Sequence, residues 1–274
     1  MTDIRPHQRR LRRCIASGAT LALALTVVPL AAHAADKDKK PVENSCVTCH
    51  SKARFLVTNK KLYDYYQNWK GSIHAQEGVT CSDCHGGNPN APDKKHAHAG
   101  QVLSAGNARS AVNYRNIPAT CAKCHDKIYD KFRQSLHYRH LKAKGQERQG
   151  PNCVTCHGAM NTTVLNVNDV RKACARCHNR RTKNHPAIPG EAERVLGDFL
   201  SVHRYYRYIA VKGAPGQLKA TFKVIDPMVK DLYAEWHTFD LKKVEAKTAR
   251  LLNFLKEQRE EIRKGDQKKP DKGQ

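Results

Sequence analysis

The sequence has few apolar and aromatic residues for its length. Of 274 residues, 39% are hydrophobic and 7% are aromatic, whereas globular domains average about 45–50% apolar residues. A core made of protein alone would therefore be thin, and something else must supply buried apolar bulk. The length leaves room for one large domain or two small ones.

Long apolar runs are also lacking, except at the N-terminus. There, a segment with five arginines precedes an apolar run from Ile15 to Leu30, and Ala32-His33-Ala34 has the small residues of a cleavage site. This pattern predicts a signal peptide over residues 1–34. A retained membrane anchor is the alternative, although the run is near the lower limit of about 20 residues for a span. We expect an exported, periplasmic and soluble mature chain.

Cysteines are lacking outside one repeated motif. Cys14 lies in the predicted signal peptide, and the other ten cysteines all belong to Cys-x-x-Cys-His motifs. The five cysteine pairs are Cys46 and Cys49, Cys81 and Cys84, Cys121 and Cys124, Cys153 and Cys156, and Cys174 and Cys177. The histidines that follow them are His50, His85, His125, His157 and His178.

This spacing has a chemical reason. Two thiols three positions apart add to the two vinyl groups of one haem, and the adjacent histidine binds the iron. The motifs therefore predict five covalently bound haem c groups, with the ten cysteines as attachment sites and the five histidines as proximal ligands. A zinc ribbon formed by the last two cysteine pairs and a disulfide framework are alternatives. Neither explains why a histidine follows every pair.

A second histidine on each iron would close it to substrates and suit it to electron transfer. Eight further histidines are available in the mature chain: His74, His96, His98, His137, His140, His185, His203 and His237. Five haems need at most five of them, so the supply of distal ligands is sufficient.

Position favours some of these histidines. His74 and His137 each stand in a Ser-x-His phrase that leads through a loop into the next attachment motif, and we expect both to bind iron. His96 and His98 alternate in a lysine-rich loop. We expect one of them to be a ligand and choose His98, while a solvated loop is the alternative.

Two further expected ligands lie in the C-terminal third. His203 and His237 stand beside apolar positions of predicted helices, where a histidine is often simply packed, but unligated irons compete for them. We expect both to bind iron. His140, His185 and Met160 remain open as ligands.

The predicted organisation has four parts. Residues 1–34 form the signal peptide, 35–190 the pentahaem domain, 191–264 helices that pack on haems, and 265–274 a disordered tail. Helices are predicted over Leu62–Trp69 and Ala122–Leu141, with long loops between motifs. In the C-terminal part, apolar residues at helical spacing predict three helices, the last two antiparallel. Asp226 and Asp240 are predicted to begin the second and the third. The fold class is mainly α.

The sequence around the motifs resembles the multihaem c-type cytochrome superfamily. The phrases that carry the resemblance are SIHAQEGVTCSDCHGG at 72–87 and FRQSLH at 132–137, which leads to CVTCHGA at 153–159. The superfamily includes the cytochrome c554, NapC/NirT, pentahaem nitrite-reductase-partner and hydroxylamine oxidoreductase groups. The resemblance covers about Cys46 to His178 and implies that His74 and His137 are distal ligands of other haems. No Cys-x-x-Cys-Lys motif is present, unlike in the nitrite reductases.

Acidic residues are outnumbered, with 25 Asp and Glu against 49 Lys and Arg and a net charge of +24. Such a charge is typical of nucleic-acid binding, which export argues against, so we expect an acidic redox partner or an anionic membrane surface instead. The predicted function is electron transfer between redox partners. The alternatives are a redox enzyme that acts on a small nitrogen or sulfur compound at one five-coordinate haem, and a membrane-anchored quinol dehydrogenase.

Overall fold

The computed structural model describes residues 44–100, 102–145, 150–213 and 215–267. The predicted signal peptide lies outside these residues. The described residues are mostly helical and include no β-strand, which confirms the predicted mainly α class. Their helices are α1 (Ser45–His50), α2 (Arg54–Thr58), α3 (Lys60–Lys70), α4 (Ile73–Gln76), α5 (Cys81–His85), α6 (Lys94–His98), α7 (Ile117–Cys121), α8 (Asp126–Phe132), α9 (Leu136–Lys142), α10 (Cys153–His157), α11 (Val167–Ala175), α12 (Ile188–Lys212), α13 (Pro215–Trp236) and α14 (Leu241–Gln267).

Short helices joined by turns carry the attachment motifs. Among the short helices, α3 has eleven residues; it carries no motif and confirms the helix predicted over Leu62–Trp69. The single helix predicted over Ala122–Leu141 is wrong, because the chain breaks between α8 and α9. Ser135 causes the break: its hydroxyl donates to the Phe132 carbonyl and accepts from the Tyr138 amide, which caps α9. The new helix then starts at Leu136, directly before His137.

The three long helices α12, α13 and α14 form a bundle. α12 and α13 are antiparallel. Phe199 contacts Trp236, whereas Tyr206, further along α12, contacts Asp226, which lies earlier in α13. Contacts of α13 with α14 show the same arrangement, which confirms the predicted antiparallel pair. Their apolar stripes form the main hydrophobic core of the described chain, which contains Val195, Phe199, Val202, Ile209, Ile225, Leu232, Val244, Leu251 and Leu255.

This core corrects one part of the sequence interpretation. The apolar stripes of the bundle were expected to need haem faces as cover, but they bury one another. Contact between the bundle and haems remains a prediction for the end of α13, where His237 follows the last helical residue.

The second helix of the bundle does not start where the sequence predicts. α13 begins at Pro215, so Pro227 lies inside it and Asp226 is not its N-cap. Asp226 instead accepts a hydrogen bond from the Tyr206 hydroxyl at 2.9 Å, which joins α13 to α12. Asp240 is the N-cap of α14 as predicted, since its carboxylate accepts from the Lys243 amide at 3.1 Å.

A buried carboxylate ties the bundle to the motif region. Glu235 at the end of α13 is fully buried, and it forms ion pairs with Lys131 of α8 at 2.7 Å and with Lys243 and Lys247 of α14 at 2.8 and 2.5 Å. Burial would raise the pKa of Glu235, but the three lysines outweigh it and lower that pKa to about 2. Glu235 therefore links three helices as a carboxylate.

We expect Glu235→Gln to lower the free energy of unfolding by about 1.5–3 kcal/mol, the usual worth of hydrogen bonds to a buried charge. Since the folded-state pKa is depressed, this stabilisation is present above the ordinary pKa of 4.5 and is lost as the pH falls toward about 2. Denaturant unfolding at several pH values measures it. The variant should lack this acid dependence.

The matched control is Glu245→Gln, which breaks a solvent-exposed ion pair with Arg194 between α14 and α12. Exposed ion pairs contribute little to stability, so Glu245→Gln should lower the free energy of unfolding much less than Glu235→Gln does. Equal losses in the two variants would contradict a special role for Glu235.

Candidate functional site

Local hydrogen bonds shape the attachment motifs. α5 and α10 each consist of one motif, and a capping box starts both: Thr80 pairs with Asp83, and Asn152 with Thr155. Residues three apart share one face of a helical turn. The two thiols of a motif therefore face the same side, and the histidine follows directly. All ten described cysteines are free thiols.

Successive motifs are neighbours in space. Hydrogen bonds connect each motif region to the next: Ser45 N to the Pro89 carbonyl at 2.7 Å, Lys123 Nζ to the Asp83 carbonyl at 3.0 Å, Asn152 Nδ2 to the Tyr114 carbonyl at 2.9 Å, and Arg176 to the Thr155 carbonyl at 2.7 Å. The attachment motifs therefore follow one another in chain order, an arrangement that we call the motif array. Sequence spacing alone did not reveal this order.

The thiols show the same order. Burial raises the pKa of Cys81 to about 11, and the nearby Cys46 adds to the rise. A hydrogen bond between Cys121 and Cys153 lowers the pKa of Cys121 and raises that of Cys153. Burial raises the pKa of Cys174 to about 11, and Cys156 of the preceding motif contributes.

Four motif histidines each face a histidine from elsewhere in the chain. The separations of the ring centres are 6.2 Å for His50 and His98, 6.2 Å for His74 and His125, 6.0 Å for His137 and His178, and 6.1 Å for His157 and His237. A metal–imidazole bond is about 2 Å long, so two imidazoles that share one iron have ring centres roughly 6 Å apart. Each of the four histidine pairs therefore has the separation that a haem iron between the two rings would need.

Hydrogen bonds orient several of these rings. Nδ1 of His98 lies 2.7 Å from the Lys94 carbonyl, and Nδ1 of His237 lies 3.0 Å from the Tyr233 carbonyl. His157 and His178 have the same kind of contact, with the Thr163 and Asn184 carbonyls. A proton on Nδ1 leaves the lone pair of Nε2 for a metal, as is usual for ligating histidines.

Burial lowers the pKa of three distal candidates, which favours their neutral form. It lowers the pKa of His137 to about 4, with smaller contributions from His178 and His140. Burial likewise lowers the pKa of His74 and of His237. Only a neutral imidazole can bind a metal, so these side chains are in the ligand form near neutral pH.

The remaining candidates have other surroundings. Nε2 of His203 contacts the Tyr233 hydroxyl, so His203 is not placed against a motif histidine, and its role as a ligand remains a prediction. His96 is exposed and pairs with Asp93 at 2.7 Å. The ring centres of His185 and His178 lie 6.4 Å apart. His185 also follows Asn184, whose carbonyl contacts Nδ1 of His178, so it lies on the Nδ1 side of that ring in the chain.

The last two candidates lie close to paired histidines. His140 is on α9, one turn after His137. Met160 is in the turn after α10, three residues beyond His157. The structure leaves both open as ligands.

A comparison with known families gives a match over part of the chain. Residues 63–166 match the cytochrome c552 family, and this range contains the motifs that begin at Cys81, Cys121 and Cys153. The match covers less than half of the chain and supports a multihaem c-type cytochrome family for the motif region. The relation of the chain to a particular subgroup is not decided by this match. Searches of curated proteins and of solved structures give no match.

Two features are absent from the residues that the structure describes. Among residues 44–267, apart from the short undescribed gaps, no helix is both long and apolar enough to cross a membrane. Among the same residues, no group of three or more His, Cys, Asp or Glu side chains is arranged to hold a metal ion.

One residue of the candidate site, Phe239, was not predicted from the sequence. The ring centre of Phe239 lies 4.5 Å from that of His137, 6.4 Å from that of His237 and 6.3 Å from that of Phe132. Its φ of 55° is unusual for a residue with a side chain. Phe239 therefore packs against two distal candidates at once. The only sequence signal was the tight turn implied by the adjacent Asp240 N-cap.

We expect His98→Ala to leave the iron at His50 with one axial ligand. The ferric protein should then gain a high-spin signal from one additional haem, measured by electron paramagnetic resonance, and one more haem should bind carbon monoxide after reduction. His96→Ala is the matched control in the same helix, because its ring pairs with Asp93 at the surface. Identical spectra for His98→Ala and the wild type would remove His98 from the ligand set.

Proposed function

We propose that this cytochrome carries five covalent haem c groups and transfers electrons along them between redox partners in the periplasm. The family match supports haem attachment and electron transfer. The number of haems, the export of the chain and its cleavage after Ala34 are proposals from the five motifs and the N-terminal segment.

The four histidine pairs carry this proposal. Each combines a motif histidine with a distant one at 6.0–6.2 Å, the separation that one iron requires. An iron bound by two imidazoles has no free position for a substrate, and this suits it to one-electron transfer. The chain's own contribution is to hold the eight imidazoles in pairs, to orient four of them by hydrogen bonds, and to lower the pKa of His74, His137 and His237 by burial.

The motif array supports transfer from end to end. Hydrogen bonds connect the motif regions in chain order, from Ser45 to Arg176. Haems attached there would be neighbours in the same order, with the Cys46 and Cys174 motifs at the two ends. Partners would then exchange electrons at opposite ends of the array.

The charge of the chain supports acidic partners. Lysines and arginines exceed acidic residues by 24 over the whole sequence, and about 20 of that excess lies outside residues 1–34. Haem propionates reduce this excess without reversing it. A basic surface attracts acidic proteins and speeds their encounter at low ionic strength.

Intact-mass measurement of the purified holoprotein tests the cofactor number. We expect a chain that begins after Ala34 and carries five haems, because every motif has both thiols free and its histidine next to them. A mature protein with fewer haems would contradict the pentahaem proposal. A chain that begins at Met1 and is found in the membrane fraction would contradict the proposed export and favour the quinol dehydrogenase alternative.

The two C-terminal histidines should behave differently from each other. His237 faces His157 at 6.1 Å, so His237→Ala should open that haem to carbon monoxide. In His203→Ala, the ring lost is one that faces Tyr233; the predicted ligand role requires a second, different haem to become high-spin, and an unchanged spectrum would remove His203 from the ligand set. Resonance Raman spin-state markers distinguish the variants. A new high-spin haem in His203→Ala would show that this histidine is a ligand after all.

A further inference from the structure

The turn after α13 brings one aromatic ring against the distal candidates of two different motifs. His237 faces His157 of the fourth motif, and His137 faces His178 of the fifth. The Phe239 ring stands edge-on to both distal candidates, at interplanar angles of 63° to His137 and 69° to His237. A single side chain therefore contacts both histidine pairs through their distal members.

The backbone of this turn has an unfavourable conformation at Phe239. Its φ of 55° lies in the left-handed region, which costs free energy for a residue with a side chain. The Phe239 amide donates to the Trp236 carbonyl at 3.0 Å. The Thr238 hydroxyl donates to the Glu235 carbonyl at 2.9 Å and accepts from the Asp240 amide at 3.2 Å. These bonds hold the turn. Glycine would fit the same backbone without strain, so the turn alone does not account for a phenylalanine at this position.

Other aromatic rings hold the Phe239 side chain in place. Its ring centre lies 6.3 Å from that of Phe132 in α8 and 6.4 Å from that of Trp236, both in edge-on contacts. Trp236 in turn packs against Phe199 of the bundle core at 6.2 Å. The ring is thus held from the motif region and from the bundle at once, which restricts its movement against the imidazoles.

We propose that Phe239 is a positioning residue for two haems at once: its ring fixes the imidazole planes of His137 and His237 and sets the potentials of the haems at the fourth and fifth motifs together. This rests on the proposed function, because it requires a haem at each of these motifs. Phe239 itself binds no iron and acts only through the two distal histidines.

A ring packed against an axial imidazole affects the iron in two ways. It fixes the imidazole plane, and the g values of a low-spin ferric haem depend on the angle between its two imidazole planes. That angle is 21° for His157 and His237, and 41° for His137 and His178. The ring also keeps water away from the ligand, and burial disfavours the extra positive charge of the ferric state. Loss of the ring should therefore lower the reduction potential.

Redox titration of the holoprotein, followed by electron paramagnetic resonance, tests the proposal. His237→Ala and His137→Ala each remove one low-spin signal and thereby assign the signals of the fourth and fifth haems. We expect Phe239→Leu to change the g values of both assigned signals and to lower both potentials. The ferric-to-ferrous ratio at a fixed potential should rise about tenfold, or about 59 mV. A change at one haem alone, or at neither, would overturn the joint role of Phe239.

Phe239→Ala and Phe239→Gly separate the ring from the turn. Both lack the ring, but glycine adopts a φ of 55° more readily than alanine does, so the glycine variant should be the more stable in denaturant unfolding. We expect equal changes in g values and potentials in the two variants. If Phe239→Gly instead retains the wild-type signals, the turn and not the ring positions the histidines, and the proposal is wrong.

Two further variants exclude a general loss of stability as the cause. Phe239→Tyr keeps the ring and should keep the wild-type signals. Phe222→Leu removes a ring that packs against Tyr206 within the bundle, at 5.0 Å; it should lower stability and leave both potentials unchanged. Shifts of equal size in Phe222→Leu and Phe239→Leu would show that any weakening of the bundle moves the potentials, which contradicts a specific role for Phe239.

The wild-type protein distinguishes a failure of this inference from a failure of the proposed function. A wild type that lacks a haem at the fourth or fifth motif would overturn both, since the ring would then have no pair of ligands to position. A wild type with five haems, whose signals at these two motifs stay the same in Phe239→Leu, would overturn the role of Phe239 alone.

Discussion

An iron with two imidazole ligands imposes one distance on the protein. The rings must lie about 6 Å apart, centre to centre, with a lone pair of each directed inward. In this chain the partners come from distant positions: His50 pairs with His98, His74 with His125, and His157 with His237, which is 80 residues away in the numbering. Short helices and capped turns are well suited to this demand, because they place single side chains without long regular elements.

The C-terminal bundle serves the same demand at one end of the array. Its own core holds α13 in place, and Glu235 connects α13 to α8 through Lys131. Two residues later, His237 reaches the fourth motif, while Phe239 packs against both His237 and His137. One turn after α13 thus helps to position distal candidates for two motifs. The charge network around Glu235 does not touch the paired histidines, but it anchors the segment that carries His237.

Sequence reasoning predicted what is local and missed what depends on tertiary contacts. The attachment motifs, the helical class, α3 and the Asp240 cap follow from short patterns. The break at Ser135 was missed because the residues around it are compatible with one helix, and only the Ser135 hydroxyl bonds separate α8 from α9. Asp226 resembled a cap, yet its carboxylate is used by Tyr206 of another helix. Pairing of each distal candidate with a particular motif has no sequence signature at all, since it depends on which loops meet.

The distribution of buried apolar residues explains why the haems matter for the fold as well as for function. The main core cluster of the described chain lies in the bundle. In the motif region the buried hydrophobic residues are few and scattered, namely Ala91, Phe132, Leu141 and Val170. A segment with so little apolar burial gains too little from the hydrophobic effect to offset the entropy of ordering its chain. Haem faces at the proposed attachment sites would supply the missing apolar surface there, and the paired histidines would supply fixed points. The low apolar content of the whole sequence therefore fits a chain in which one region folds around its own side chains and the other would fold around bound haems.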